Sequence, residues 1–448
     1  MSARTLPIRY ASKAWFHAGL GNQFNPLSGP EYDELAAFFA QARREEPVFF
    51  SQTLNMWVVT RYETQLEILK DTDRFTVEGN TAVLNASLIP EAQALLAQSH
   101  VFTSLTMGTS DTQHARLRAP FAKFLSPQRI KTLEPRLREY AESLVDGFAA
   151  KGRADVIADF SYQLPLMVIR DVLGVPREDL DRVQEWCKAL ADFVFSVVPP
   201  EHQVERLQQI LAFERYLSSL VTRYRAAPGD NMISAMLNGI ASGEEQMSEG
   251  ELLATLCLSL IASGHETIAK TLGNSLRSLL THRERWQQLL DEPELIPNAI
   301  EESIRLYATV MGFFRIAREE VEVGGVRLPK GAPVFLLFAS ANHDEAKFPA
   351  PLDYNPRREN LNAHLGFSRG LHYCLGAPLA RMEMRVALEV LTRRLPGLRL
   401  APNQELSYVQ SVVLRGLKHL HVEWDPAPAA YAQAPDAQGI NPSPSESP

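Results

Sequence analysis

The stretch GFSRGLHYCLG, residues 366–376, is the feature that most constrains the fold of this chain. It surrounds Cys374 with three glycines and two aromatic residues, and the apolar spacing after it predicts a helix. Most lone cysteines are simply small buried side chains. Here, glycines such as Gly370 and Gly376 allow the backbone to approach a flat or bulky group closely. Loop amides and a helix N-terminus favour a thiolate, so we expect a fold that encloses a large ligand at this sulfur.

The cysteine content narrows the chemistry of that ligand. Cys187, Cys257 and Cys374 are an odd and sparse set, which indicates reduced thiols rather than a disulfide framework. A zinc site would need three or four closely spaced cysteine or histidine ligands, and Cys374 has no second cysteine nearby. A single thiolate in a glycine-lined loop suits an iron macrocycle. Phe367 offers a flat aromatic ring for packing, and His372 offers a cation for anionic groups of the ligand.

The composition excludes several functional classes. The 448 residues carry a net charge of −8, which argues against nucleic acid as a partner because phosphate binding favours a basic surface. The apolar run 252–264 is shorter than the ~20 residues of a membrane span, and the N-terminus lacks the apolar core of a signal peptide. We therefore predict a cytoplasmic protein that binds neither nucleic acid nor a membrane.

The apolar periodicity predicts a mainly α-helical domain with a minor β part. Residues 111–305 show helical spacing, whereas 76–110 form an irregular segment with one short helix. Strands are predicted at 47–51, at 56–62 and within 321–342. We expect one large domain over 1–425, followed by a disordered tail rich in Pro, Ala and Ser over 426–448.

The cysteine loop resembles the heme-binding loop of the cytochrome P-450 heme-thiolate monooxygenases. The family pattern is Phe-Gly-x-Gly-x-His-x-Cys-x-Gly, usually followed by Leu-Ala-Arg. The chain matches the pattern at Phe367, Gly370, His372, Cys374, Gly376, Leu379, Ala380 and Arg381, and departs from it at Ser368, where the family usually has glycine. The resemblance implies a single P-450-like domain of the bacterial type, with heme b as the cofactor and Cys374 as the iron ligand.

A second motif of the family lies in EESIR. Glu302 and Arg305 are three residues apart on one helical face, where they can pair. Taken alone, they would be a surface ion pair worth about 0–1 kcal/mol. The resemblance implies instead that they join Arg358 in a buried structural network behind the heme, which is costly to break.

A third motif lies in the stretch ASGHETI. Its helix, which Ser248 and Glu251 can open as a capping box, is apolar until Gly264 and then carries Glu266 and Thr267. The residues alone fit equally well a polar turn that emerges into solvent. The resemblance implies that this turn crosses the distal face of the heme, where the glycine makes room for dioxygen and the acid and the alcohol relay protons.

Basic residues complete the implied cofactor site. His114 and Arg118 are four residues apart on one helical face and, by themselves, predict a solvated basic patch. The resemblance implies that they hold the heme propionates together with Arg315 and His372. Four cationic groups for two carboxylates form a sensible electrostatic cage.

The resemblance also implies where the substrate binds. The implied pocket residues are Val83, Leu84, Leu88, Phe102, Leu105, Phe193, Val194, Phe195, Ala262, Val310, Met311, Phe313, Val412 and Val413. Core packing would explain any one of them equally well. Since they are largely apolar, we expect a hydrophobic substrate such as a terpenoid, steroid, fatty acid or polyketide.

The implied reaction inserts one oxygen atom from O2 into that substrate, as a hydroxylation or an epoxidation. The chain shows no flavin or iron–sulfur module, so we expect a monomer that receives electrons from a separate ferredoxin or flavodoxin with its reductase, docked near Arg369. One alternative is a peroxygenase driven by hydrogen peroxide, against which the pair Glu266 and Thr267 argues. Another is a non-catalytic heme sensor, or a docking protein that acts on a carrier protein.

Overall fold

The structure confirms the predicted mainly α-helical fold with a minor strand part, and about 60% of it is helical. It is a computed structural model that describes residues 19–26, 32–78, 88–103, 109–196, 198–257 and 263–425. The predicted tail, 426–448, lies outside the described residues. Within the described ranges, no helix combines the length and the apolar character that a membrane crossing requires.

The α-helices of the described ranges run through the whole chain. They are α1 (Tyr32–Glu45), α2 (Tyr62–Lys70), α3 (Pro90–Leu96), α4 (His100–Thr103), α5 (Asp111–Phe124), α6 (Pro127–Phe148), α7 (Gln163–Leu173), α8 (Leu180–Phe195), α9 (Pro200–Ala226), α10 (Met232–Ala241), α11 (Glu249–Ala254), α12 (Ser263–Thr281), α13 (Arg283–Asp291), α14 (Ile296–Leu306), α15 (Phe338–Ala341) and α16 (Ala377–Arg394). A π-helical turn, Ile157–Ser161, precedes α7. Short 3-10 turns lie at Leu20–Asn22, Ala149–Lys151, Arg177–Asp179, Pro293–Leu295, Leu361–Ala363 and Gly370–His372.

The strands form three small sheets. The strands are β1 (Val48–Ser51), β2 (Met56–Val59), β3 (Phe75–Thr76), β4 (Arg153–Asp155), β5 (Phe313–Ala317), β6 (Val321–Val323), β7 (Val326–Leu328), β8 (Pro333–Leu336), β9 (Arg399–Leu400) and β10 (His421–Glu423). The largest sheet has the order β1-β2-β8-β5-β3, and the other two have the orders β4-β10-β9 and β6-β7. The strands expected near the N-terminus and within 321–342 are therefore confirmed.

The five-stranded sheet is buried on both faces because its side chains alternate between two apolar clusters. Trp57 and Val59 of β2 pack in one cluster, and Met56 and Val58 pack in the other. Strand β5 pairs with β8 in antiparallel register, with Arg315 opposite Val334. The sheet therefore presents Arg315, a predicted cofactor ligand, from a rigid strand.

The helices that frame the site have clear sequence signals. The capping box at the start of α11 is present, since the Ser248 side chain accepts from the Glu251 amide and Glu251 accepts from the Ser248 amide. Helix α11 ends at Ala254, and α12, which carries the GHET motif, packs on α7, α14 and α16. In the described part of the irregular segment 76–110 there are two short helices, α3 and α4, and not the single one predicted. Pro90 opens the first turn of α3, a position that favours proline.

Candidate active site

The cysteine loop presents its sulfur at the start of α16. The Cys374 amide donates to the Phe367 carbonyl over 2.9 Å, which closes the loop. Burial raises the pKa of the Cys374 thiol, while the amides of Gly376 and Ala377 and the charge of Arg118 act in the opposite direction. The loop therefore supplies the donors that a thiolate ligand needs, as the sequence predicted, although burial outweighs them.

Two positions in this loop require a left-handed backbone. Gly370 has a φ of 71°, and a Cβ there would lie 2.7 Å from the Leu69 carbonyl oxygen, so only glycine fits. Ser368 has a φ of 60° and is buried. Its amide donates to the Leu365 carbonyl over 2.8 Å, so the turn forms without the usual glycine. The departure at Ser368 thus falls where a side chain is conformationally costly.

The four predicted propionate ligands come together beside this loop. His114 and Arg118 lie on α5, Arg315 lies on β5, and His372 lies in the 3-10 turn before the cysteine. The rings of His114 and His372 are 4.1 Å apart between centroids. Arg118 Nη2 donates to the Tyr373 carbonyl over 2.6 Å, which links α5 directly to the cysteine loop.

Burial dominates the electrostatics of this cluster. Burial lowers the pKa of Arg315 to about 10. Burial, followed by the neighbouring His114, Arg315 and Arg118, lowers the pKa of His372 to about 3. Nδ1 of His114 is buried without a hydrogen-bond partner. Among the described residues, no carboxylate forms an ion pair with any of the four groups, and Asp111 acts on Arg315 only through space.

These residues fit a heme. Arg315 is a buried guanidinium without an ion-pair partner among the described residues, and an anion beside it would offset the cost of burying its charge. The two carboxylates of a heme supply such charge beside a cysteine sulfur that already accepts amide hydrogen bonds.

The acid and the alcohol of the GHET motif lie in the first turn of α12. Glu266 is 3% exposed, and its Oε1 accepts from the Tyr162 hydroxyl over 2.7 Å. Its Oε2 forms an ion pair with Lys270 Nζ, four residues further along the helix. The Thr267 hydroxyl donates to the Ser263 carbonyl over 2.8 Å. The structure thus brings the two predicted residues together but engages each with a different partner.

Three partners of Glu266 were missed by the sequence reasoning. Burial acts to raise the pKa of Glu266, but Lys270 and His265 outweigh it and hold the pKa below its usual value. His265 is fully buried, its pKa falls to about 4, and its Nε2 lies 3.0 Å from the Tyr162 carbonyl oxygen. The spacing of Glu266 and Lys270 was a usable signal, since residues four apart share a helical face.

Gly264 has a packing role in the structure. A Cβ on this residue would lie 3.2 Å from Cδ1 of Ile169 on α7, so the glycine allows α12 and α7 to approach closely. The space for dioxygen at Gly264 stays a prediction, because this contact neither requires nor excludes it.

The residues predicted as a structural network are in contact. Glu302 accepts from Arg305 through both carboxylate oxygens, over 2.7 and 2.8 Å, and from Arg358 over 3.0 Å. Glu302 and Arg305 are fully buried. Arg305 also donates to the carbonyl of Asn342, and Glu302 accepts from the Asn355 amide. Every charge in this network therefore has a partner.

A second network behind the cysteine loop was missed. The Glu301 carboxylate accepts from Arg381 over 2.6 Å and lies 3.0 Å from His364 Nε2. Although burial acts to raise it, Arg381 and His364 hold the pKa of Glu301 at about 2. The Arg381 guanidinium also lies 4.5 Å from the ring centroid of Phe367. The network therefore supports the ring that opens the cysteine loop, and the fixed position of Arg381 in the loop motif was its only sequence signal.

Several of the predicted pocket residues are also brought together. Phe102 and Phe193 meet edge to face at 5.3 Å between ring centroids. The Phe195 carbonyl accepts from the Val412 amide over 3.3 Å, and the Met311 amide donates to the Val413 carbonyl over 2.8 Å. The other predicted residues within the described ranges are Leu88, Val194, Val310 and Phe313, which are buried or half-buried. Val83, Leu84, Leu105 and Ala262 lie outside the described residues.

Met311, a predicted pocket residue, and Arg369, a predicted docking residue, make contacts that those predictions did not include. Met311 is buried with Phe24 and Phe335 in the apolar cluster on one face of the sheet, an arrangement that core packing alone explains. Arg369 is half-buried, and its guanidinium contacts the carbonyl of Asn362 and donates to that of His364.

Comparison with known proteins identifies the family. The family profile described as Cytochrome P450 matches residues 49–396. The chain belongs to the cytochrome P450 family. It is 38% identical over 401 residues to the mycinamicin IV hydroxylase/epoxidase of Micromonospora griseorubida, which covers 87% of this chain and 96% of that enzyme. It is 33% identical over 409 residues to the polyketide biosynthesis cytochrome P450 PksS of Bacillus subtilis, covering 89% of this chain and 98% of that protein.

The structural comparison agrees. The CYP116B5 heme domain of Acinetobacter radioresistens superposes with a TM-score of 0.83 at 31% sequence identity, covering 90% of this chain and 98% of that domain. The predicted family, P450 fold, monooxygenase activity and heme cofactor are thereby confirmed. The protein is a heme-dependent monooxygenase that uses O2 and a redox partner.

Proposed function

We propose that this P450 binds its heme through Cys374 as the iron ligand and through His114, Arg118, Arg315 and His372 as propionate ligands. The observation that carries the proposal is the cluster of two arginines and two histidines that adjoins the cysteine loop and forms no ion pair with a carboxylate of the described residues. When bound, the heme supplies the activation of dioxygen and the transfer of one oxygen atom.

The chain itself manages the protons. Glu266 accepts a proton at Oε2 from the ammonium group of Lys270, which solvent then reprotonates, and passes it towards the hydroxyl of Thr267, the next residue along α12. The hydroxyl releases its own proton into the substrate pocket as it accepts this one. Tyr162 and Lys270 position the carboxylate and keep it ionised between turnovers. Thr267 must turn its hydroxyl away from the Ser263 carbonyl to receive the proton.

The substrate is a hydrophobic small molecule, and we favour the polyketide class among the terpenoids, steroids, fatty acids and polyketides expected. The aromatic contact of Phe102 with Phe193 and the apolar residues Val310 and Val412 support an apolar pocket. Two relatives support this choice: one is named as a mycinamicin IV hydroxylase/epoxidase, and the other as a cytochrome P450 of polyketide biosynthesis.

The electron donor is a separate ferredoxin or flavodoxin with its reductase, and the protein acts as a cytoplasmic monomer. Docking occurs on the face of the cysteine loop. Because the guanidinium of Arg369 is engaged by two carbonyls, this residue contributes positive charge to the docking face and not a free hydrogen-bond donor.

The carbon monoxide difference spectrum tests the cofactor assignment. The purified, reduced protein should show the red-shifted band of a thiolate-ligated heme, and Cys374→Ala should lose it. Cys187→Ala, at a fully buried cysteine outside the loop, is the matched control and should retain the band. A Cys374→Ala protein with an unaltered spectrum would overturn the assignment.

Turnover under two regimes separates a monooxygenase from a peroxygenase. The wild-type protein should oxidise substrate with O2, reductase and ferredoxin, and much less with hydrogen peroxide alone. Thr267→Ala should keep the heme but divert electrons to peroxide or water. Unchanged coupling of electrons to product in Thr267→Ala would contradict the proton role.

A spectral-shift screen against polyketides, steroids, terpenoids and fatty acids tests the substrate class, and binding of another class alone would contradict the polyketide assignment.

A further inference from the structure

Helix α9 buries two polar side chains on one face. Gln203 and Glu214 are 2% and 5% exposed. They are eleven residues apart, which is about three helical turns or roughly 16 Å along the axis. Each side chain finds partners in or next to the segment 88–103, which crosses this face of the helix.

Glu214 binds the C-terminal part of that segment. Its Oε2 accepts from the His100 amide over 3.0 Å, and its Oε1 accepts from the Val101 amide over 3.2 Å and from the Ser99 hydroxyl. Among the described residues, no lysine, arginine or histidine side chain forms an ion pair with Glu214. The buried carboxylate is therefore balanced by hydrogen bonds from this segment, each of the stronger charge-assisted kind.

Gln203 binds the N-terminal part of the segment. Its Oε1 accepts from the Ile89 amide over 2.9 Å, and its Nε2 donates to the Val198 carbonyl over 3.1 Å. Helix α9 therefore holds the segment 88–103 near both of its ends through buried side chains.

The two attachment points adjoin two predicted pocket residues. Leu88 precedes Ile89, and Phe102 follows Val101. The Phe102 ring in turn lies against Phe193 of α8, 5.3 Å away between centroids. Any displacement of Glu214 or Gln203 is therefore transmitted to this apolar wall through one or two backbone residues.

We propose that Glu214 and Gln203 are positioning residues for substrate specificity, which fasten the wall formed by Leu88 and Phe102 to α9. This inference rests on the proposed location of the substrate pocket. The hydrogen bonds from Ser99, His100 and Val101 fix the wall before the ligand arrives, so a large ligand that touches Phe102 does not have to order it. The affinity for a small ligand that does not reach Phe102 does not depend on this preorganisation.

The test compares two probes that share a donor nitrogen and differ in bulk, imidazole and 1-tritylimidazole. Both are titrated by difference spectroscopy into the heme-loaded protein and into Glu214→Gln and Gln203→Ala. We expect the affinity for 1-tritylimidazole to fall about fivefold to tenfold, as the loss of one ordinary hydrogen bond would give, and that for imidazole to change less than about twofold. Glu201→Gln, at an exposed position of the same helix, is the matched control.

Hydrogen exchange supplies an independent readout. The amides of His100 and Val101 should exchange about tenfold faster in Glu214→Gln than in the wild type, while those of α16 should not change. Ser99→Ala removes one hydrogen-bond donor and leaves Glu214 in place, so it replaces Glu214→Gln as the test variant if the latter fails to fold. It should change the ratio of the affinities for 1-tritylimidazole and imidazole in the same direction.

An unchanged ratio of the two affinities, or unchanged exchange at these amides, would overturn the inference. A wild-type protein without the red-shifted carbon monoxide band would instead overturn the proposed cofactor assignment. The two failures are therefore distinguishable.

Discussion

Two groups of charged and titratable side chains, one around Glu302 and one around His372, are satisfied in opposite ways. Around Glu302, two arginines share one carboxylate, and backbone carbonyls accept their remaining hydrogen bonds. Around His372, two arginines and two histidines converge with no carboxylate in ion-pair range among the described residues. The first group is complete within the polypeptide, whereas the second is complete only when an anion is bound.

This difference separates a structural site from a binding site. Glu302, Arg305 and Arg315 are all buried, so burial alone does not distinguish the two groups. What distinguishes them is whether each charge finds its counter-charge on the same chain, because a buried charge without one is strongly disfavoured. Burial lowers the pKa values of Arg315 and His372, and no carboxylate of the described residues forms an ion pair that would offset this effect.

The largest effect is expected from breaking the complete network. Glu302→Gln leaves Arg305 and Arg358 without their carboxylate and should lower the free energy of unfolding by about 3–5 kcal/mol, with or without heme. Urea unfolding measures the change. Glu294→Gln, at an exposed position near the start of α14, should change it little. An effect confined to the heme-loaded form would contradict the contrast between the two groups.

The second prediction concerns the incomplete cluster. Arg315→Met removes an unpaired buried charge, so the heme-free protein should keep or gain stability, while heme affinity falls about tenfold to a hundredfold. Heme transfer to apomyoglobin measures the affinity, and thermal unfolding measures the stability. Arg318→Met, at an exposed position after the same strand, is the control. A less stable heme-free variant would show that the hydrogen bond from Arg315 to the Phe314 carbonyl compensates its charge.

The pH dependence sharpens the same comparison. The pKa of His372 is about 3 in the folded heme-free protein, against 6.5 for an ordinary histidine. The unfolded chain therefore binds a proton first, and stability should fall as the pH drops from about 6.5 towards 3, by at most about 1.4 kcal/mol per pH unit for this residue.

Urea titrations at several pH values test this expectation. The free energy of unfolding of His372→Asn should depend less steeply on pH than that of the wild type. Heme should reduce the slope as well, because propionates favour the protonated ring. Identical slopes for His372→Asn and the wild type would rule out this contribution.

The smallest effect is expected at Ser368. Its φ of 60° places a side chain in the left-handed region, at a cost of about 1 kcal/mol. Ser368→Gly should therefore raise the free energy of unfolding by about that amount and leave heme binding unchanged. Thermal unfolding of the heme-free and heme-loaded forms measures both. A destabilised glycine variant would show that the serine makes a compensating interaction.

The local motifs were readable from the sequence because their residues act at short range. The cysteine, its glycines and the following helix lie within 366–394, so their spacing favoured a ligand loop, and the family resemblance implied that it binds heme. The pair Glu302 and Arg305 lies within one helical turn, as does Glu266 with Lys270. In each case, helical geometry determines which side chains can meet.

Only the tertiary structure decided the long-range partners. Tyr162 reaches Glu266 across 104 residues, Arg381 reaches Glu301 across 80, and Glu214 reaches His100 across 114. No periodicity encodes such pairs, because they depend on how α7, α9 and α16 pack around the central helices. By itself, the sequence therefore predicted the helical fold and the local motifs, and its family resemblance implied the heme ligand. The folded chain decided which charges are paired with each other, since that depends on distances between segments far apart in the sequence.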